Sequence, residues 1–374
     1  MSLLNSRNLS NIKFHLIVIA FLMRLFVSHF GYNYDFESYK LVATAVENHI
    51  TPWETYRYNY GVMWSLVLVV LDFVSVNNEF VFRGLIIMVL TLSDVYIASV
   101  IAKKYGLKFG LIFLFNPISI IVSGYYNQFD NLALAIALAA VVNIEKRGSI
   151  FKSCLLLSLS LITKHNFILF LFWILISKKL KREKYIISTV PILCFILHFV
   201  PFAFISSDVR RAILSNVFLY WSNNNAPLWQ LILQNDSLIN YLSDNNQWHH
   251  GRVWMILFFL SLSILGILSR SNSITTNFFS YSIGLVLFAS AITSQFFAIA
   301  AIGASAYFNL AFILFFTFGT LWLLAEPSGL QLPAFIHLVE STNFDGWKAL
   351  PLLLVPGISL ILLRRHSSAI KKFL

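Results

Sequence analysis

Long apolar runs broken by short polar segments dominate the chain. A helix that crosses a bilayer needs about 20 apolar residues, and the candidate runs are 14–30, 80–102, 110–126, 131–144, 150–164, 166–177, 184–204, 252–270, 275–292, 296–325 and 346–363. The pattern predicts an all-α, polytopic transmembrane helix bundle of about 10–11 spans. Several runs are short, and 296–325 is too long for one plain helix. Segment 59–77 is also apolar, and charge decides how to place it. With the amino terminus inside, a span there would put Lys103, Lys104 and Lys108, then Lys146 and Arg147, on the outer side. Cationic loops prefer the cytoplasm, so 59–77 is laid on the outer surface as a juxtamembrane or re-entrant helix. Four polar segments then share the outer face: 31–58, 127–131, 164–166 and the connection 205–251. The run from Phe14 contains Arg24 and no small-x-small site before Gly31, so it reads as a retained span and not a secretory signal. Beyond residue 275 the pattern fixes no threading, although the cationic tail Arg364 to Lys372 belongs on the cytoplasmic side.

Composition narrows the class. The 374 residues are 58% hydrophobic and 11% charged, against about 25% charged in a soluble domain, which excludes an ordinary soluble fold. The net charge of +11 comes from clusters beside apolar runs, notably Lys178, Lys179, Lys181, Arg182 and Lys184. Such clusters suit loops facing anionic lipid, so the expected partner is a lipid bilayer and not nucleic acid. The two cysteines, Cys154 and Cys194, sit inside apolar runs, which argues against a disulfide framework, a zinc site or a thiol nucleophile. No phosphate-cradling glycine loop, dinucleotide fingerprint or serine-hydrolase elbow is present, and soluble nucleotide chemistry is excluded.

The polar breaks carry the candidate chemistry. Asp35 and Glu37 follow the first apolar run directly. A partly dehydrated carboxylate there can have its pKa raised toward a value that suits a general base; the plainer reading is an acidic first turn of a surface helix. Arg57 lies among Tyr56, Tyr58 and Tyr60, a grouping that suits a sugar face or an aromatic belt anchor. Asn116-Pro117 and the stretch Ser123 to Asn131, with Gln128 and Asp130, interrupt two apolar runs and point to a cavity wall or a surface turn. Lys164 splits another run with His165 and Asn166 beside it. An uncompensated lysine in hydrocarbon costs about 2.5–3.5 kcal/mol on insertion scales, so this cation demands a partner; at the outer edge it is placed to hold a phosphate of a lipid-linked substrate, the plainer reading being an ordinary loop lysine. Arg83 at the outer end of its helix is a candidate phosphate contact, and Asp94, eleven residues further along, is a candidate structural partner for another helix. Thr293-Ser294-Gln295-Phe296 is a weaker polar break, and His249-His250 lacks the companions of a zinc site.

With these residues in place, the chain resembles the GT-C superfamily of membrane glycosyltransferases, which use polyprenyl-phosphate sugars. In that family an acidic motif lies in the first outer loop, where Asp35-Phe36-Glu37 stands here, and juxtamembrane helices follow, as read for 59–77. The order of Asn116-Pro117, the break Gly124 to Asp130, Lys164-His165 and Thr293-Ser294-Gln295-Phe296 is similar to the GPI-anchor mannosyltransferase branch. Tyr58-Asn59-Tyr60-Gly61 departs from it, since many relatives have a tyrosine followed by proline there.

The resemblance implies one membrane domain over 1–374: a catalytic module at 14–204, the outer connection 205–251 and variable C-terminal spans at 252–374. It implies inverting transfer of a mannose-like hexose from a polyprenyl-phosphate donor to a hydroxyl of a glycan, lipid or protein acceptor. Asp35 would be the base. Glu37 would be a second carboxylate, an acceptor contact or, with Asp35, a ligand for a divalent cation such as Mg or Mn. Arg57, Arg83 and Lys164 would neutralise the phosphate, and Tyr58, Tyr60, Gln128, Asp130, His165 and Gln295 would line the substrate site. The implied location is the extracytoplasmic or luminal face of a plasma or endoplasmic reticulum membrane. The competing class is a transporter or flippase of lipid-linked or anionic substrates, because intramembrane cations and broken helices serve transporters too. Such folds often carry paired repeats, which this sequence lacks, and a structural scaffold would leave the four polar breaks unexplained.

Overall fold

The computed structural model describes residues 6–218, 247–289, 296–308, 310–325 and 330, with side chains described from residues 14 and 255 in the first two segments. The chain is all-helical: 81% helix, with no strand among the described residues. The first helix, α1 (Ser6–Ser28), leads into the short α2 (Tyr34–Glu47) and α3 (Val62–Ser75). At 14 residues, α3 is about 21 Å long, short of a hydrocarbon core of about 30 Å. The long helix α4 (Glu79–Tyr105) follows, then α5 (Leu107–Phe115), α6 (Pro117–Gly124), α7 (Asp130–Glu145), α8 (Ile150–Thr163), α9 (Ile168–Ile176) and α10 (Glu183–Leu197). The short α11 (Val200–Ala203) and α12 (Ser207–Ile213) precede α13 (Gln247–Ser269), α14 (Ile274–Leu287), α15 (Phe296–Ala306) and α16 (Leu310–Ala325).

Among the described residues two helical stretches, Glu79–Tyr105 and Glu183–Ala203, are long and apolar enough to cross a membrane, and α5 with α6 makes a third if the bent pair is one span. The other apolar stretches form helices of 10–17 residues, including Ile150–Thr163 and Ile274–Leu287. Run 110–126 is broken, with α5 and α6 meeting at 46°. Pro117 forces Asn116 out of the helical region, to φ −73° and ψ 146°. The Asn116 Oδ1 then caps the new helix by accepting from the Ser119 N–H at 2.7 Å. Run 296–325, too long for one helix, is two: α15 and α16. Run 346–363 lies outside the described residues.

Packing gives the assembly two chemically different ends. At one, Lys104 donates to Glu145 at 3.1 Å and to Ser273 at 2.9 Å, and Lys108 lies 5.9 Å from the Phe308 ring. The chain turns there at 103–108, 145–150, 177–184 and 270–274, nearly all of whose charges are positive. At the other end lie α2, the α6–α7 turn, the α8–α9 break and α12. Asn216 donates to the Trp53 carbonyl at 3.0 Å, so the beginning of the 205–251 connection touches the first loop. Helix surfaces between the two ends expose Leu22, Leu92, Leu155 and Leu193, and this apolar exterior is compatible with a membrane protein.

Candidate functional site

Two buried polar clusters lie along the axis of the assembly. The deeper one holds α1, α4, α6 and α7 together. Arg24 and Asp94, both fully buried, pair at 2.8 Å. Arg24 also donates to the Ala20 and Leu114 carbonyls and to Ser119. Asp94 further accepts from Ser119, Ser123 and Asn131 at 3.1, 2.9 and 2.6 Å. The helices approach closely enough for this because residue 124 is glycine: a Cβ there would sit 2.5 Å from the Arg24 carbonyl oxygen. With all three guanidinium nitrogens and both carboxylate oxygens engaged, the pair leaves nothing for a ligand. Asp94 is a helix partner, as its depth suggested; Arg24 was the unrecognised half, though an arginine inside an apolar run is itself the signal.

The second cluster sits at the end of the assembly and gathers three of the polar breaks. Asp35 occupies the first turn of α2, where the helix dipole favours a carboxylate. Its Oδ2 accepts from Asn33 Nδ2 at 2.8 Å and from Gln128 Nε2 in a short contact. Its Oδ1 takes no hydrogen bond from the described residues. Desolvation pushes the Asp35 carboxyl above the ordinary aspartate range, against the opposing pull of the two amides and the Lys164 charge.

Lys164 interrupts the helix at the end of α8 with an extended backbone, φ −155° and ψ 125°. Its ammonium donates to Asp130 Oδ2 at 2.6 Å, and both side chains are almost wholly buried. Asn166 completes the carboxylate at 2.8 Å through Oδ1. The partner that Lys164 demands is therefore Asp130, from the first turn of α7. The same ammonium lies 4.8 Å from the Tyr60 ring centroid and 4.9 Å from that of Phe129. Gly61 makes the Tyr60 contact possible, since a Cβ there would fall 2.1 Å from the Ile162 carbonyl oxygen at the end of α8. Phe129 stacks on Trp64 at 4.5 Å and meets Tyr60 and Tyr39 edge-on, which gives the polar groups an aromatic floor.

The remaining sequence candidates divide. Tyr58 is buried; its hydroxyl donates to the Gly61 carbonyl at 2.6 Å and accepts from the Ser65 N–H, so it holds the loop. Tyr60 faces Lys164. His165 lies beside Lys164 with its Nδ1 buried and unpartnered. Arg57 lies at the rim, 4.2 Å from the Tyr34 ring and 4.0 Å from Glu37, both ion-pair partners substantially exposed. Arg83 has a different place from the one the sequence proposes. Its nitrogens donate to Asn127 Oδ1 and to the carbonyls of Ser28, Gly31, Gly124 and Tyr125. That set clamps the exit of α1 to the α6–α7 turn, where Asn127 adopts a left-handed φ of 54°, and it leaves Arg83 a positioning residue. Gln295 lies outside the described residues.

The divalent-cation expectation for Asp35 and Glu37 does not fit this geometry. Residues two apart on a helix face different sides, and while Asp35 faces Gln128, Glu37 turns outward toward Arg57. Sequence reasoning missed Asn33 and Tyr39, which have no motif of their own, and named Asn166 only as a neighbour of Lys164. Tyr39 follows Asp35 by four residues, and that helical spacing was a usable signal. No protein-family model and no curated protein matches the chain.

Proposed function

We propose that the chain is a GT-C-type glycosyltransferase of the polyprenyl-phosphate-sugar-dependent class, transferring a mannose-like hexose with inversion. The observation that carries the reading is the state of Asp35: one carboxylate oxygen held by two amides, the other without a hydrogen bond from the described residues, in a desolvated setting beside an aromatic floor and a buried lysine. A base needs that combination, with orientation fixed through one oxygen and a lone pair left for the proton. The acceptor hydroxyl oxygen attacks the anomeric carbon and its proton passes to Asp35 Oδ1. The bond from that carbon to the phosphate oxygen breaks, and polyprenyl phosphate leaves as an anion that needs no protein acid.

Lys164 and Arg57 are the cations left to meet that phosphate. Lys164 donates a single hydrogen bond to the described residues, so its ammonium retains hydrogens for an anion. The cationic opposite end favours placing Asp35 on the extracytoplasmic or luminal side of the membrane. The test uses the purified full chain in nanodiscs supplied with a polyprenyl-phosphate mannose and a panel of defined hydroxyl acceptors. Transfer with release of free polyprenyl phosphate is the expected result, and Asp35→Asn lowers it by about 10²–10⁴-fold. Full transfer by Asp35→Asn rejects the base assignment; movement of intact donor across the bilayer without product identifies a transporter instead.

A further inference from the structure

We infer that the groove along α9, between α10 and α13, holds an anionic phospholipid, with its phosphate on Lys178, Lys179 and Arg270 and its acyl chains against α9. The site lies at the end of the assembly away from Asp35 and is independent of the chemistry proposed there.

The backbone gathers the cations. Helix α9 ends at Ile176 and α13 at Ser269, and the turns that follow are stitched together where the Lys178 N–H donates to the Arg270 carbonyl at 2.9 Å. Lys178, Lys179 and Arg270 are all exposed, and this bond brings them onto one small surface. Like charges so placed repel one another, and a carboxylate among them would relieve the repulsion. Neither turn supplies one: residues 177–182 read Ser-Lys-Lys-Leu-Lys-Arg, and 270–273 read Arg-Ser-Asn-Ser. The carboxylates that flank these turns are committed elsewhere. Glu145 takes Lys104 together with the N–H and the hydroxyl of Thr275, and Glu183 lies within electrostatic reach of Lys181 and Arg147. Among the described residues no carboxylate pairs with Lys178, Lys179 or Arg270. An anion from outside the chain is the counter-charge that this surface fits.

An apolar surface begins where the cations end. Helix α9 packs against both α10 and α13, and Ser188 of α10 donates to the Leu171 carbonyl at 3.0 Å. No residue of α9 is more than partly exposed; Leu169, Phe172 and Ile176, at spacings of three and four, share its partly exposed face. The flanking helices stand further out. Ile186 and Leu193 on α10, and Ile264 and Leu268 on α13, are each half exposed or more. Helix α9 is therefore the floor of a groove, its neighbours are the walls, and the cationic surface is the mouth. A free phosphate would use the mouth alone. A phospholipid uses both parts: its phosphate oxygens accept from the ammonium and guanidinium groups, and its chains lie along the floor. Basic pockets between membrane helices recognise lipid headgroups in this way. A zwitterionic headgroup would bring a fourth cation to the surface, so the fitting lipid carries net negative charge.

The experiment titrates phosphatidylglycerol or phosphatidylcholine into the purified full chain in detergent, read by native mass spectrometry and by thermal unfolding. Phosphatidylglycerol is expected to bind first and to raise the Tm. The triple variant Lys178→Gln, Lys179→Gln, Arg270→Gln should weaken its binding about 100-fold, about fivefold for each cation, with the Tm in phosphatidylcholine unchanged. A control variant, Lys103→Gln, Lys146→Gln, Lys152→Gln, removes as much exposed charge from the same end and should keep the lipid. Equal loss in the control would mean a diffuse field and no site, which overturns the inference. A lower Tm of the triple variant in phosphatidylcholine would mark these cations as structural and also overturn it. Glycerol phosphate that raises the Tm as far as the lipid does rejects the groove, and equal binding of phosphatidylcholine rejects the anionic headgroup.

Discussion

The two buried ion pairs among the described residues are finished very differently from the same chemistry. Arg24 and Asp94 are fully buried and surrounded by Ser119, Ser123, Asn131 and two carbonyls, each placed to finish the hydrogen bonding. Lys164 and Asp130 are nearly as buried, yet the lysine ammonium makes one hydrogen bond among the described residues and rests otherwise on the faces of two aromatic rings. Desolvating two charges is costly, and a pair offsets that cost only when the remaining donors and acceptors are satisfied. The first pair meets the condition and locks four helices. The second is under-coordinated at its cation among the described residues, as the proposed phosphate contact of Lys164 requires. On the glycosyltransferase proposal, completeness of coordination rather than burial separates structural from functional charge here.

The comparison can be broken most sharply at the locked pair. Asp94→Ala leaves Arg24, which keeps its charge, buried without a counter-ion, and is expected to cost about 3–5 kcal/mol of stability, seen as loss of monodisperse protein and a lower Tm in detergent. Arg24→Met combined with Asp94→Leu should recover most of that loss, since apolar residues of similar volume often replace a buried pair without penalty. Failure of the double variant to recover would mean that the pair does more than hold helices.

Lys164→Met tests the other side. Asp130 keeps Asn166, so the stability loss should be smaller than for Asp94→Ala, while transfer falls about 10²–10³-fold, as on removal of an electrostatic donor to a developing anion. Equal stability losses with transfer preserved would erase the distinction between the pairs.

The pH dependence of Asp35 gives a finer measure. Its carboxyl is raised by desolvation, so the acid limb of kcat/KM should lie above the ordinary aspartate value of about 3.9. The unfolded chain ionises this group more readily than the folded one, so its ionisation costs stability. That cost is absent below the unfolded pKa and fully present above the folded pKa. Asp35→Asn is therefore expected to raise the Tm at neutral pH, with the gain fading as the pH falls toward about 4. The smallest effect belongs to Arg57→Ala. With its partner Glu37 largely in solvent, stability should change by less than about 0.5 kcal/mol, and donor KM should rise only a few-fold.

Much of this was legible along the chain and some was not. The helices follow the apolar runs, and the acidic first turn at Asp35 and the break at Asn116-Pro117 stand where the pattern places them, because capping and proline sterics act within a few residues. Helix lengths were not legible: α8 and α14 are apolar but 14 residues long, and hydropathy alone does not register where a helix ends. Arg83 was legible as a charge at a helix end but not in its role, since its acceptors are carbonyls at 28, 31, 124 and 125, and every residue type carries a carbonyl.

By itself the sequence determined an all-helical, strongly apolar chain, the positions of its polar interruptions, and the requirement that Lys164 have a partner. Those properties depend on local hydrophobicity, backbone sterics and the cost of isolated charge. Only the tertiary structure decided that the partner is Asp130, that Asp94 belongs to Arg24, and that Gln128 orients Asp35. Each choice turns on distances between helices far apart in the chain, and such distances are set by how whole side-chain surfaces pack, as the close approaches at Gly61 and Gly124 show.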